Sequence, residues 1–282
     1  MPRGGADEVA EALRHAGVIT DPRAFRAAAL FSFDAPLHAG EFHFPAGASL
    51  RQVLDILHAG RPVQRGLTIP EGSTARQILR LLAAAPALPA TATPPPEGEV
   101  LPETYAYSYG TTPDAILERG RAAMARALVG LWATRAPGLP LTSPREALIL
   151  ASIVERETAR PAERGMVAAV FLNRLRQHMR LQADSTVVYA ASAGLGRLDR
   201  ALTRADLDLD SPFNTYRIGA LPPAPIASPG LAALRAVLQP ASSDALYFVA
   251  DGSGGHAFAR TLEEHHRNVA RWRAMTDHAP AP

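Results

Sequence analysis

The segment at residues 143–158 limits the possible folds of this chain more than any other. Ser143 is a preferred N-cap residue and Pro144 suits the first helical position, so a helix is predicted to begin here. On that helix only the narrow sector of Ser152 and Arg156 is free of apolar side chains. A helix that is apolar on almost all sides is usually buried in a core. We therefore predict that the chain folds around this helix.

Two glutamates, Glu155 and Glu157, lie in the last turn of the predicted helix. Because they are two residues apart, their side chains point about 160° away from each other and cannot act together. Glu157 lies between the bulkier apolar side chains, and burial raises the pKa of a carboxyl because it disfavours the anion. A glutamate with a raised pKa can serve as a general acid near neutral pH. The alternative is that both are solvated residues that pair with neighbouring arginines.

The N-terminal part of the chain has the pattern of a small α+β unit. Strands are predicted at residues 41–44 and 64–69. Each is followed by a helix, the first with Ser49 as its N-cap and the second over residues 73–84. Residues 86–99 contain three consecutive prolines and predict a linker or an irregular crossing.

Beyond this region the pattern becomes mainly helical, with a β-hairpin near the end. The hairpin is indicated by two apolar segments, 245–250 and 256–259, on either side of a glycine-rich turn. We therefore predict an α+β protein with an N-terminal region at 1–98, a larger domain at 99–275 and a flexible tail at 276–282. The predicted helices of the larger domain span residues 113–135, 144–158, 161–179, 231–238 and 262–272.

Composition excludes several kinds of site. The chain contains no cysteine, which excludes disulfides, thiolate metal sites and a cysteine nucleophile. The net charge is only +2 and the arginines are scattered, so nucleic acid is not an expected partner. No run of about 18 apolar residues and no signal peptide is found in the sequence. We also expect no metal and no cofactor.

Several segments together resemble one protein family over nearly the whole chain. The octapeptide ASIVERET at residues 151–158 resembles the catalytic motif of the MltG/YceG-like endolytic murein transglycosylases. Any one motif alone is weak, but the set is highly specific. The resemblance continues, in the family's order, through VFLNRL at 170–175, MRLQADSTVVY at 179–189, SPFNTY at 211–216, LPPAPI at 221–226, and LYFVADG at 246–252 followed by Gly255 and His256.

The resemblance implies a lyase that cuts peptidoglycan strands with one carboxyl group. Glu157 corresponds to the family's catalytic residue, and the burial argument selects the same glutamate. Glu157 would protonate the oxygen of the β-1,4 bond between N-acetylmuramic acid and N-acetylglucosamine. As a carboxylate it would then accept the proton of the muramyl C6 hydroxyl, which attacks C1. The product is a 1,6-anhydro sugar, and no water is consumed.

Six polar or aromatic residues of these segments are predicted to bind and orient the sugar. For each, the alternative is a structural role, such as a helix cap at Asp184, a turn held by Asn214 or a core position for the tyrosines. The six residues are Gln182, Asp184, Thr186, Tyr189, Asn214 and Tyr216.

The N-terminal region resembles the family's LysM-like subdomain, most clearly in FPAG at 44–47 and TIPEG at 68–72. Family members begin with a cytoplasmic tail and one membrane helix. The resemblance therefore implies a single-pass inner-membrane protein with its catalytic domain in the periplasm, through a helix that this sequence does not include. Peptidoglycan strands are the implied substrate, and peptidoglycan synthases (penicillin-binding proteins) are candidate partners. Glu103 and His256 are interpreted as structural residues.

Two other functions remain open. A muramidase-like hydrolase would use Glu157 as its acid and Asp184 to position water, and it would leave reducing ends instead of anhydro ends. A non-catalytic peptidoglycan-binding scaffold would depend on the LysM-like region, although the intact motif around Glu157 argues against it.

Overall fold

The computed structural model describes residues 1, 5–31, 37–89 and 93–276. The chain divides into two compact units. The first unit comprises Met1–Leu67, Leu82–Ala92 and Thr104–Ile116, and the second comprises Thr68–Leu81, Thr93–Glu103 and Leu117–Pro282. The domain boundary at residue 98 stays a prediction, because each unit contains chain segments from both sides of it.

The structure mixes helices with small sheets, which confirms the predicted α+β class. Strands β1 (Arg65–Thr68) and β2 (Thr104–Tyr107) form one sheet, and β3 (Tyr247–Ala250) pairs antiparallel with β4 (His256–Ala259). The helices are α1 (Ala6–His15), α2 (Pro22–Leu30), α3 (Leu50–Ala59), α4 (Ala75–Ala84), α5 (Pro113–Ala133), α6 (Pro144–Glu157), α7 (Arg164–Arg176), α8 (Asp184–Ala191), α9 (Arg204–Leu207), α10 (Leu231–Leu238) and α11 (Leu262–Thr276).

The first unit has a helical core made by α1, α2 and α3, in which Leu13, Phe25 and Leu57 are fully buried. The strand predicted at residues 41–44 is wrong, because these residues form no regular structure. The alternation of their side chains has another cause, since Phe42 and Phe44 pack against this helical core.

The second unit is built around α6, as the sequence predicts. All residues from Ala147 to Val154 are buried, and α6 packs against α7, α8 and α10. Even the polar Ser152 is fully buried, because its hydroxyl donates to the Ile149 carbonyl and accepts from the Ile226 N–H. The end of α6 is therefore held in a rigid position.

The predicted hairpin is confirmed. The Asp251 carboxylate accepts hydrogen bonds from the backbone N–H groups of Ser253 and Gly255, which fixes the turn between β3 and β4. Helix α11 packs against both strands and extends to Thr276, so the predicted tail, apart from Thr276, lies outside the described residues. No helix in the described part of the chain is both long and apolar enough to cross a membrane.

Candidate active site

Glu157 is the last residue of α6, and its carboxylate lies at the N-terminus of α8. It accepts hydrogen bonds from the Ser185 hydroxyl at 2.5 Å and from the Ser185 N–H at 3.3 Å. The N-terminus of a helix stabilises negative charge through its unpaired N–H groups. Glu157 therefore lies in a position that can hold it as an anion after it has given up a proton.

The balance of charges nevertheless keeps the pKa of Glu157 above its usual range. Burial is the main cause, and the negative charge of the adjacent Asp184 adds to it. The hydrogen bonds from Ser185 and the charge of His256 act in the opposite direction. A carboxyl whose pKa is raised is better suited than an ordinary glutamate to donate a proton and to take one back.

The Glu157 side chain opens into a cleft of about 480 Å³. Three of the six predicted sugar-binding residues line this cleft, namely Gln182, Asp184 and Tyr216. The structure thus brings together segments that are far apart in the sequence. The full lining is Glu157, Arg174, Leu181, Gln182, Asp184, Tyr216, Phe248, Val249, Ala250, His256, His265 and Trp272.

Gln182 has an unusual backbone conformation, with a φ of +51°. Such a conformation costs about 1–3 kcal/mol for a residue other than glycine and persists only where the surroundings impose it. Here the Gln182 N–H donates to the Thr215 carbonyl at 3.2 Å, and its side-chain oxygen accepts from Arg174 at 3.2 Å. Gln182 is exposed at the cleft, and these two hydrogen bonds fix its orientation.

Asp184 and Tyr216 form a hydrogen-bonded pair on the cleft wall. The Tyr216 hydroxyl donates to the Asp184 carboxylate at 2.5 Å. Burial, followed by the hydrogen bond to Asp184 and the charge of that carboxylate, raises the pKa of Tyr216, so its hydroxyl stays protonated. Asp184 is the first residue of α8 and follows the N-cap Ala183, so it is not the cap itself.

The other three predicted residues lie outside the cleft lining. Asn214 is fully buried, donates to the carbonyls of Leu207 and Leu209, and so holds the loop that carries Tyr216. Thr186 is also fully buried and bonds to the Ala183 carbonyl. The Tyr189 hydroxyl donates to Glu97 at 3.1 Å.

Arg174 is a buried residue of the cleft lining with several hydrogen bonds. It is not among the site residues predicted from the sequence. Its guanidinium donates to the carbonyls of Arg180, Leu181 and Leu246 and to the side chain of Gln182. Burial lowers its pKa, although an arginine stays charged at neutral pH. The arginine joins the segment before α8 to the β-hairpin. Its only sequence signal is its place within the VFLNRL motif.

The hairpin and α11 also contribute residues to the cleft lining. The sequence favours a structural role for His256, and its Nδ1 does lie 2.7 Å from the Glu163 carboxylate, but the ring also lines the cleft. His265 stacks on Tyr247, and burial lowers its pKa, followed by the charges of Arg174 and of the neighbouring histidine. The contribution of α11 could not be found from local patterns.

Glu155 has different surroundings from Glu157. Its side chain is only 4% exposed, and it accepts from Arg164 at 3.1 Å and from the Gly230 N–H at 2.8 Å. Burial also raises the pKa of Glu155. Its carboxylate joins the end of α6 to the start of α10 and does not line the cleft.

Among the described residues, no group of three or more histidine, aspartate or glutamate side chains is arranged to hold a metal ion. Within the same ranges, the polar and aromatic groups of the cleft include one carboxyl with a raised pKa, a tyrosine–aspartate pair, an amide, a guanidinium, two imidazoles and an indole. This set fits proton transfer to and from a bound polyhydroxylated ligand.

Comparison with known proteins gives consistent matches. The YceG-like family matches over residues 2–271. An endolytic murein transglycosylase from Streptococcus pneumoniae is 30% identical over 96% of this chain and 57% of its own length. One from Bacillus subtilis is 38% identical over 61% of this chain and 47% of its own. The chain thus spans about half the length of these curated relatives.

A solved structure supports the same relationship. A YceG-like protein from Listeria monocytogenes superimposes with a TM-score of 0.58 and 28% sequence identity. The similarity covers 95% of this chain and 97% of that protein.

Proposed function

The chain belongs to the YceG-like family, and we propose that it is an endolytic lytic transglycosylase that cuts peptidoglycan glycan strands. The proposal depends chiefly on one observation. Glu157 is a partly buried carboxyl with a raised pKa, held by Ser185 at the edge of a cleft. The names of the relatives from Streptococcus and Bacillus support the same reaction class.

In the proposed reaction Glu157 acts first as an acid and then as a base. It protonates the glycosidic oxygen between N-acetylmuramic acid and N-acetylglucosamine, and the bond from that oxygen to the muramyl C1 breaks. The Glu157 carboxylate, stabilised by the two hydrogen bonds from Ser185, then accepts the proton of the C6 hydroxyl as its oxygen bonds to C1. The enzyme ends in its starting protonation state, and the sugar carries a 1,6-anhydro ring.

The other polar groups of the cleft would bind and orient the sugar. Gln182, Asp184 and Tyr216 are proposed to contact its hydroxyl and acetamido groups, because all three line the cleft. The other three predicted residues are proposed to act indirectly, by holding the segments that form the cleft wall. They are Thr186, Tyr189 and Asn214. The LysM-like character of the N-terminal region and its binding to glycan also remain proposals.

One alternative has support from the position of Asp184. Asp184 is exposed in the same cleft, and its charge raises the pKa of Glu157. An aspartate there could hold a water molecule for attack on C1, which would make the enzyme a muramidase-like hydrolase. In that case water, and not the C6 hydroxyl, would enter the product.

Analysis of the product ends tests both reactions. Purified protein is incubated with uncrosslinked glycan strands, and the fragments are examined by mass spectrometry. The lyase yields 1,6-anhydro ends, which lack one water relative to the reducing ends that a hydrolase yields. Fragments from within the strands support the endolytic mode, and a shortening by terminal units alone contradicts it. If no fragments form, and zymography shows Glu157→Gln and wild type to be equally inactive, the scaffold function is favoured.

We further propose that the protein works at the outer face of the inner membrane, beside the peptidoglycan synthases. The reason is physical, because an enzyme that cuts within a strand is restricted to new material when it is anchored near the site of synthesis. Fractionation of cells that express the natural gene tests this. Recovery of the protein in the soluble fraction alone contradicts the location.

A further inference from the structure

A second cavity of about 830 Å³ adjoins the cleft. Tyr216 is the residue that the linings of the two cavities share. We call this second cavity the arginine pocket, because Arg180, Arg204 and Arg217 lie in its lining. All three arginines are exposed to solvent, and none of them belongs to the group of residues that line the cleft.

The arginine pocket has an excess of positive charge. Asp208 is the acidic residue of its lining, and it lies 4.0 Å from Arg217, at the limit of an ion pair, with both side chains more than half exposed. The nearby Asp206 is neutralised separately, because Arg200 binds it with two nitrogens at 2.5 and 2.8 Å. Three guanidinium groups therefore face one weakly engaged carboxylate.

One of these arginines is also connected to the cleft wall. Arg180 donates to the Tyr216 carbonyl at 3.1 Å, and its own carbonyl accepts from Arg174. The remaining guanidinium nitrogens of Arg180 have no hydrogen-bond partner among the residues that the structure describes. An anion bound by Arg180 would thus lie near the main chain of Tyr216, a residue that we propose to contact the sugar.

We propose that the arginine pocket binds the carboxylates of the peptide stem that a muramyl sugar carries. The inference depends on the proposed function, which puts a muramyl sugar in the cleft. Each such sugar has a lactyl ether to which a short peptide with free carboxylates is joined. Guanidinium groups bind carboxylates through paired, charge-assisted hydrogen bonds. The pocket would therefore make the enzyme select strands that still carry their stems.

The test compares two substrates and two sets of variants. Glycan strands with intact stems and strands stripped of stems by an amidase are cleaved by wild type and by the double variant Arg204→Gln/Arg217→Gln. Exposed charge pairs are individually weak, so we expect kcat/KM on intact strands to fall roughly three- to tenfold in the double variant. Cleavage of stripped strands should be unchanged. Arg121→Gln, which removes an exposed arginine on α5 that pairs with Glu99, is the matched control.

Further arms identify the anion. Strands with amidated stem carboxylates should behave like stripped strands, and the preference for intact strands should weaken at high salt because exposed charges are screened. Inorganic phosphate is a general anion, so it should inhibit cleavage of intact strands whether or not the pocket favours carboxylates. If phosphate competes fully while amidation has no effect, the pocket binds phosphate groups and the proposal is overturned.

The inference and the proposed function can fail separately. Binding of fluorescent strands to Glu157→Gln reports on the pocket without cleavage. Stem-dependent binding that the arginine substitutions abolish supports the pocket, even if no enzyme activity is found. Equal rates and equal binding for intact and stripped strands, with the arginines present or replaced, overturn the pocket and leave the activity standing.

Discussion

Glu155 and Glu157 belong to the same turn of α6, and burial raises the pKa of both. They differ in what surrounds the carboxylate. Glu155 is closed in by Arg164 and the Gly230 N–H, with 4% of its side chain exposed. Glu157 has Ser185 on one side and the cleft on the other. Burial alone therefore does not distinguish the two glutamates, because Glu157 also borders the cleft and has no ion-pair partner among the described residues.

The largest effect that tests this comparison is the replacement of Glu157. We expect Glu157→Gln to slow strand cleavage by about 10²–10⁴-fold or more, because glutamine can neither give nor take the proton. The amide is nearly the same size as the carboxyl, so the thermal midpoint should not fall. Release of soluble fragments measures the rate, and circular dichroism measures the midpoint. Cleavage that stays within a few-fold of wild type would show that Glu157 is not the acid.

The converse substitution tests the other side of the turn. Glu155→Gln leaves Arg164, which is only 12% exposed, without its best-buried partner. We expect the free energy of unfolding to fall by about 1–3 kcal/mol, because a buried charge loses its hydrogen-bonded partner. Cleavage at temperatures where the variant is folded should change little. Urea denaturation measures the loss.

Glu263→Gln is the matched control for Glu155→Gln. Glu263 pairs with Arg267 across one turn of α11, but its side chain is 82% exposed, so no measurable loss of stability is expected. A Glu155→Gln variant that is as stable as this control, yet inactive, would reverse the roles assigned to the two glutamates.

The two glutamates also show which features of the site can be predicted from the sequence and which cannot. The helix α6, its burial and the opposite directions of its two glutamates follow from local periodicity. The partners of Glu155 do not, because Gly230 is 75 residues away along the chain. Arg174 is a similar case, since exposed positions are the usual expectation for arginine and its partner Leu246 is 72 residues away. Long-range contacts of this kind have no local signal.

Local patterns also predict one strand that does not form and miss one that does. The alternating residues 41–44 predict a strand, but their aromatic side chains serve a helical core. Strand β2 has an equally short alternation in which Tyr105 and Tyr107 are buried, yet no strand is predicted there from the sequence. A period of two over four residues is too short to distinguish a strand from an irregular segment that packs on a core.

A smaller effect is expected from the hydrogen bonds that distinguish Glu157. The general acid must be protonated, so kcat/KM falls as the pH rises through the pKa of Glu157 in the free enzyme. The Ser185 hydroxyl stabilises the carboxylate, and its removal raises the pKa further. In Ser185→Ala the alkaline limb of the pH profile should therefore move to higher pH by roughly half a unit to one unit. A limb that does not move would indicate that another group titrates.

The smallest and most discriminating effect concerns Asp184. Its negative charge helps to raise the pKa of Glu157, so Asp184→Asn should move the same alkaline limb to lower pH, opposite to the effect of Ser185→Ala. Because Asp184 is exposed, solvent screens its charge, and the shift should be the smaller of the two. The asparagine oxygen can still accept the hydrogen bond from Tyr216, so the cleft wall is retained.

For a lyase the maximal rate of Asp184→Asn should then change little, since the substrate's own C6 hydroxyl attacks C1. For a hydrolase the same substitution removes the group that positions water, and the rate and the yield of reducing ends should fall together.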